Sequence, residues 1–170
     1  MLEIDEPIRL CAYDRQWPAL FASEARRIAA GLPEKVAIEH IGSTAVEGLL
    51  AKPIIDVMIG VEPSHSVAGV RSALVALGYE DMGEAGVPGR LYFRRRAETA
   101  FNIALVMRGG SIWIANLALR DYLRSNPAAA REYAETKRAA FESGVRSLKA
   151  WSDYKSAVIA GLIGRALQPR

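Results

Sequence analysis

Cysteine is almost missing from this sequence: Cys11 stands alone among 170 residues. An intrachain disulfide is impossible, and cysteine-based metal motifs are excluded with it. No apolar run approaches the roughly 18 residues that a membrane helix needs. The opening MLEIDEPIRL carries acids where an export signal would have bases followed by an apolar core. These absences together predict a cytoplasmic chain with neither leader nor membrane span. A strong charge of one sign is lacking too: 22 basic residues against 19 acidic ones leave a formal +3, too little to argue for a nucleic-acid partner. There is no internal repeat, low-complexity tract or linker, so residues 1–170 read as one domain. That length suffices to bury about two thirds of the unfolded surface.

What is present follows a clear order. Pro18 to Leu32 has apolar residues at helical spacing and stops at Gly31 and Pro33. Lys35 to Ile41 alternates like a strand, with Val36, Ile38 and His40 on one side. Thr44 and Glu47 have the spacing of a capping box that would open a short helix through Leu50. Ile54 to Val61 reads as a central strand, apolar except for Asp56. A helix over Val67–Leu77, a short strand over Tyr79–Met82 and a glycine-rich flexible loop, Gly83 to Gly89, come next. Leu91–Arg95 and Thr99–Met107 read as an antiparallel pair. Beyond Gly110 the pattern is helical to the end, with starts expected at Ser111, Asn126 and Ser152. The predicted class is α+β with an α/β-like core: a mixed sheet, flanking helices and a helical C-terminal third.

One acid that the pattern leads one to expect is also missing. A phosphate-transfer site on a strand uses carboxylates two residues apart, because the strand period puts both on one face, where they hold Mg²⁺ against phosphates. It also uses backbone amides at a tight turn. Gly42-Ser43, followed by Asp56 on an apolar strand, has that order, but position 58 is Met58. A thioether does not ligate Mg²⁺. Glu62 shares the face of Asp56 but lies some 20 Å further along the strand. Glu39 and Glu84 could approach from neighbouring elements.

The stretch HIGSTAVEGLLAKPIID, His40 to Asp56, resembles the signature of the GrpB-like family, itself similar to the nucleotidyltransferase superfamily. The likeness continues in PGRLYFRRR (Pro88 to Arg96), in LALRDYLRSNPAAAREYAETKR (Leu117 to Arg138) and at Tyr154-Lys155. The resemblance implies a nucleotidyltransferase fold. It implies a phosphate-holding turn at Gly42, Ser43 and Thr44, with Lys52, Asn102, Arg120 and Lys155 as further ligand contacts. It also implies Asp56 as ligand to a possible Mg²⁺ and as a catalytic group. Relatives often carry His-Leu-His where this chain has Asn102, Ile103 and Ala104.

Plainer readings stand beside these. Gly42-Ser43 is also an ordinary strand-to-helix turn, and Asp56 also fits a structural salt bridge to Lys52 or Arg120. His40 could contact substrate as a general base or hydrogen-bond within the sheet. His65 reads as a solvated loop residue, Arg94 to Arg96 as a solvated strand end, Lys155 as surface, and Trp113 and Trp151 as packing. The functional expectation is therefore nucleotidyl or phosphoryl transfer to a small molecule with an incomplete metal motif. The alternatives are a metal-independent enzyme that uses the same cleft and a non-catalytic module for a nucleotide or other phosphate-bearing ligand.

Overall fold

The structure is a computed structural model that describes residues 6–168. MLEID, part of the argument against an export signal, lies outside them. The run IIDVMIGV forms β2 (Ile54–Val61), the middle of the fold. It pairs antiparallel with β1 (Ala37–Ile41) and parallel with β5 (Ala100–Met107). With β4 (Leu91–Arg95) and β3 (Glu80–Asp81) they make one five-stranded mixed sheet, in the order β1-β2-β5-β4-β3. The class is α+β, as the element order predicts.

Strand alternation divides β2 between two environments. Ile55, Val57, Ile59 and Val61 face one way, into a core shared with Phe93, Ile103 and Leu105 and covered by α1 (Trp17–Gly31) and α2 (Val67–Ala76). The opposite set, Asp56, Met58 and Gly60, faces α3 (Ser111–Ser125). A Cβ on Gly60 would lie 2.5 Å from the Trp113 ring, so the absence of a side chain there lets α3 settle on the sheet. Met58 is fully buried in a cluster with Ile41, Val106 and Trp113.

The remaining helices are α4 (Pro127–Glu142) and α5 (Leu148–Ala166). Asn126 caps α4 by accepting from Ala129 N at 3.2 Å, with Pro127 at the first helical position. Helix α5 begins four residues before the expected Ser152, because Ser147 caps it through Ala150 N. The expected helix from Thr44 is only a 3₁₀ turn, Ser43–Ala45. Its capping box does not form, since the Thr44 hydroxyl is engaged by His40. No helix among the described residues is long and apolar enough to cross a membrane.

Candidate functional site

The register Ile41↔Asp56 brings the end of β1 beside the start of β2, so the chain turns at Gly42 directly against the Asp56 side chain. Gly42 has φ +71°, and a Cβ there would lie 2.4 Å from Asp56 Oδ2. Glycine is thus required twice over, for the left-handed backbone and for the close approach. Next on the sheet comes Asn102, paired with Asp56 across β2 and β5. Its Oδ1 accepts from Arg96 Nη2 at 3.0 Å and from the Tyr92 hydroxyl at 2.8 Å, while its Nδ2 donates to Asp56 Oδ1 at 2.8 Å. The orientation follows from chemistry. Arg96 can only donate, so the amide oxygen must face it and the NH₂ must face the carboxylate.

This sheet face, the Gly42–Thr44 turn and helices α3 to α5 enclose a cavity of about 490 Å³, of the size that holds a metabolite. Among its lining residues are Lys52, Arg90, Lys137 and Lys155, facing Asp56 as the lining carboxylate. Among the described residues none of these four basic side chains is within ion-pair distance of a carboxylate. Burial pushes the Lys52 and Lys155 amines down to about 8, while attraction to Asp56 opposes the shift. Burial pushes Lys137 further, to about 6, helped by the charge of Lys155. Aromatic faces support the amines: Lys137 Nζ lies 4.4 Å from the Tyr133 ring centroid, and Lys155 Nζ lies 5.2 Å from that of Trp151.

Of the residues singled out in the sequence, Gly42, Ser43, Thr44, Lys52, Asp56, Asn102 and Lys155 meet at this cavity. His40 and Arg120 are not among its lining residues. His40 faces the α1 side, stacked on Phe21 with ring centroids 4.6 Å apart, and its Nε2 shares a hydrogen bond with Thr44 Oγ1 at 2.9 Å. Burial, with Arg124 and Arg120 nearby, pushes it down to about 4. Arg120 donates to Glu39 Oε2 at 2.7 Å and to His40 O at 3.2 Å. One turn on, Arg124 donates to Ala45 O at 2.8 Å, so the arginines staple α3 to β1 and the turn.

Several plainer expectations also change. Arg94, Arg95 and Arg96 are not solvated: they pair with Glu80, Glu24 and Glu6 respectively. Asp56 makes no close salt bridge to Lys52 or Arg120; Asn102 holds it instead. Lys155 is a half-buried cavity residue. The His65 side chain is only 17% exposed, with Nδ1 accepting from Glu62 N. Glu39 is committed to Arg120, and Glu84 accepts from Gly89 N at 2.8 Å. The glycine-rich loop places Ala85 and Val87 on the cavity wall, and Arg90 closes it by donating to Glu84 O and Ala85 O.

Lys137, Tyr133, Arg90 and Tyr92 are cavity residues that sequence reasoning missed. A signal for Lys137 did exist: it lies on the stripe Ala129, Tyr133, Ala140 that α4 buries, a lone cation among apolar neighbours.

The residues present do not fit Mg²⁺. Asp56 Oδ1 is already taken by an amide donor, and Met58 fills the position of a second acid with packed thioether. No group of three or more His, Cys, Asp or Glu side chains suited to a metal ion occurs among the described residues. The lysines and arginine around Asp56 would also repel a divalent cation.

Fold and cavity together define an α+β protein with a cation-lined cavity on one face of its sheet. The chain belongs to the GrpB protein family, whose pattern matches residues 7–165. It is 37% identical over 169 residues to a UPF0157 protein of Pseudomonas aeruginosa, covering 96% of this chain and 69% of that one. To the UPF0157 protein YqkA of Bacillus subtilis it is 35% identical over 133 residues, 77% of this chain but only 39% of that longer protein. The crystal structure of the conserved protein GrpB from Enterococcus faecalis superposes with a TM-score of 0.83 at 33% identity, covering 94% of this chain and 97% of that one. A distant likeness reaches nucleotidyltransferases, at a TM-score of 0.45 and 12% identity to a cytoplasmic RNA terminal U-transferase, and bears on no residue here.

Proposed function

We propose that the cleft binds a phosphate-bearing small molecule, with nucleotides the first class to test, and that it does so without a divalent metal. One observation carries this reading: the cations Lys52, Arg90 and Lys155 line a cavity in which, among the described residues, Asp56 is the lone facing carboxylate. Buried cations without close counter-ions are costly, and an anionic ligand supplies what the protein does not. The Gly42–Thr44 turn adds a hydroxyl-bearing edge beside those cations. A cytoplasmic location suits such a ligand and the lone Cys11.

The test is calorimetric titration with ATP, GTP, CTP, UTP and inorganic pyrophosphate, with and without Mg²⁺, on the native protein and on Asp56→Asn. The reading expects binding that Mg²⁺ does not tighten. It also expects Asp56→Asn to bind more tightly, because a like charge has gone; on the order of 1 kcal/mol, about fivefold, is the scale. Tightening by Mg²⁺ that disappears in Asp56→Asn would reverse both signs and restore the metal-dependent transferase reading. Absence of binding by every probe would remove the phosphate reading.

A further inference from the structure

Lys137 raises a question that anion binding alone does not answer. Its side chain is essentially buried, with 1% of the residue exposed, and it has two polar partners. Nζ bonds Leu50 O and lies 3.0 Å from Ser43 Oγ. The Tyr133 ring covers a further side of the amine, and Lys155 from α5 is the nearest cation. A buried ammonium with no anion, beside another cation, is the unfavourable form; the neutral amine is the favoured one.

Counting hydrogens on the neutral amine then fixes its partners. It has two N–H groups and one lone pair. Leu50 O and the Tyr133 ring face can only accept, so each takes an N–H. Ser43 is the remaining partner: its Oγ lies 3.0 Å from Nζ and also shares a hydrogen bond with the Tyr133 hydroxyl, and once the amine is neutral the serine hydroxyl can donate into the lone pair. The neutral amine thus lies within proton-transfer distance of the serine hydroxyl, while Ser43 itself is half-exposed on the cavity wall.

We propose that Ser43 and Lys137 form a nucleophile–base pair for acyl transfer, acting on a carboxylic ester of a phosphate-bearing alcohol. The choice of an anionic alcohol rests on the reading above; the pair itself does not. Amine-activated serines recur as a solution to acyl transfer on unrelated folds. Phosphoryl transfer is the weaker match, because its loose transition state gains little from removing the nucleophile's proton, whereas carbonyl addition gains much.

In the reaction Ser43 Oγ adds to the ester carbonyl carbon while its proton passes to Lys137 Nζ. The tetrahedral intermediate then breaks the C–O bond to the alcohol, which leaves with the proton returned by the Lys137 ammonium. Water, deprotonated by Lys137, attacks the acyl-Ser43 ester, and collapse releases the carboxylic acid and restores the Ser43 hydroxyl. No metal and no redox partner enters.

The test uses a neutral alkyl fluorophosphonate, so that labelling does not depend on binding a phosphate. Ser43 Oγ would bond to phosphorus as the P–F bond breaks, fluoride leaving and the proton passing to Lys137. Peptide mass mapping is expected to find the label on Ser43, with none in Ser43→Ala. Lys137→Met is expected to lower the labelling rate by at least about 100-fold. In the native protein the rate should rise with pH through about 6 and then level off, as Lys137 loses its proton. Of the titratable groups that face it, Lys155 loses its proton at about 8 and Tyr133 at about 12, so the first rise belongs to Lys137. No label on Ser43, or labelling of Lys137→Met at the native rate, would overturn the proposal. Were that variant unfolded, the native pH profile would decide: a rate still climbing at pH 9 would also overturn it. Pyrophosphate binding without labelling would leave the anion cleft and remove the pair; labelling without binding would do the reverse.

Discussion

Replacing Lys137 by methionine should make the protein more stable at neutral pH. The lysine has essentially no exposure and no carboxylate within ion-pair distance. Its amine is pushed from 10.5 to about 6. In the unfolded chain it is an ordinary ammonium, so folding at pH 7 must remove its proton, at a cost of about 5 kcal/mol. Methionine of similar length avoids that cost and fills the same channel beside Tyr133. The loss is the N–H donor to Leu50 O, about 1–3 kcal/mol if that carbonyl finds no other partner. The balance is a gain of about 2–4 kcal/mol, measurable as a shift of the urea midpoint. The pH dependence gives a sharper check. A lowered folded-state value means that the unfolded chain holds the extra proton between about pH 6 and 10.5. Native stability should therefore rise with pH there, at up to about 1.4 kcal/mol per unit from this residue. Lys52 and Lys155 add their own slope above about pH 8. The diagnostic quantity is thus the difference between native protein and variant between pH 6 and 8. A variant destabilised by more than about 3 kcal/mol, with no native slope in that window, would show that Lys137 is a charged, well-satisfied ammonium and would refute the argument.

Two further outcomes follow from the residues around the turn. His40 is held neutral, its value lowered from 6.5 to about 4 by burial and two arginines; its contribution is complete above pH 6.5 and is lost as pH falls toward 4, a drop of about 3 kcal/mol. Equilibrium urea curves at a series of pH values should show that acid limb in the native protein and a flatter one in His40→Gln, and equal limbs would refute the assignment. Gly42→Ala should cost about 2–4 kcal/mol, from the left-handed backbone and from overlap with Asp56. A denaturation midpoint within about 0.5 kcal/mol of native would mean that the turn can move away from the carboxylate.

How far the sequence disclosed this site depended on whether local pattern or register decided each position. Asp56 in an apolar strand and glycine at the preceding turn were legible, because a buried acid and a tight turn have local signatures. The exclusion of His40 was half legible. Alternation put it with Ile38 on one side of β1, but only the register Ile41↔Asp56 shows that the Asp56 side is the other one. Arg120 misled because Asn116, Arg120 and Arg124 do share a helix row. Positions on a row advance by about 6 Å for every four residues, so the row leaves the cavity after Asn116 and ends on β1 and the turn. The arginine run Arg94 to Arg96 reads as solvent-facing because its partners, Glu6, Glu24 and Glu80, come from distant parts of the chain. Lys137 lies 94 residues from the serine that it touches, a separation that no local window spans.

The methionine at position 58 explains why the cavity is built around cations. A second acid there would sit beneath Trp113, among Ile41 and Val106, where the side chain has no exposure and would have to be buried in an apolar cluster. Without that acid, Asp56 has no partner with which to share a divalent ion, and its carboxylate turns to Asn102 and to the surrounding field. Lys52, Arg90 and Lys155 all feel it, yet none closes to ion-pair distance. Asp56 therefore acts as a shared counter-ion that moderates the repulsion among three cations while leaving their heads open to the cavity. A carboxylate in direct contact with one lysine would have neutralised that lysine alone; one held back by an amide tempers all three and blocks none. The field inside the cavity is therefore positive, set by three cations around one moderated carboxylate.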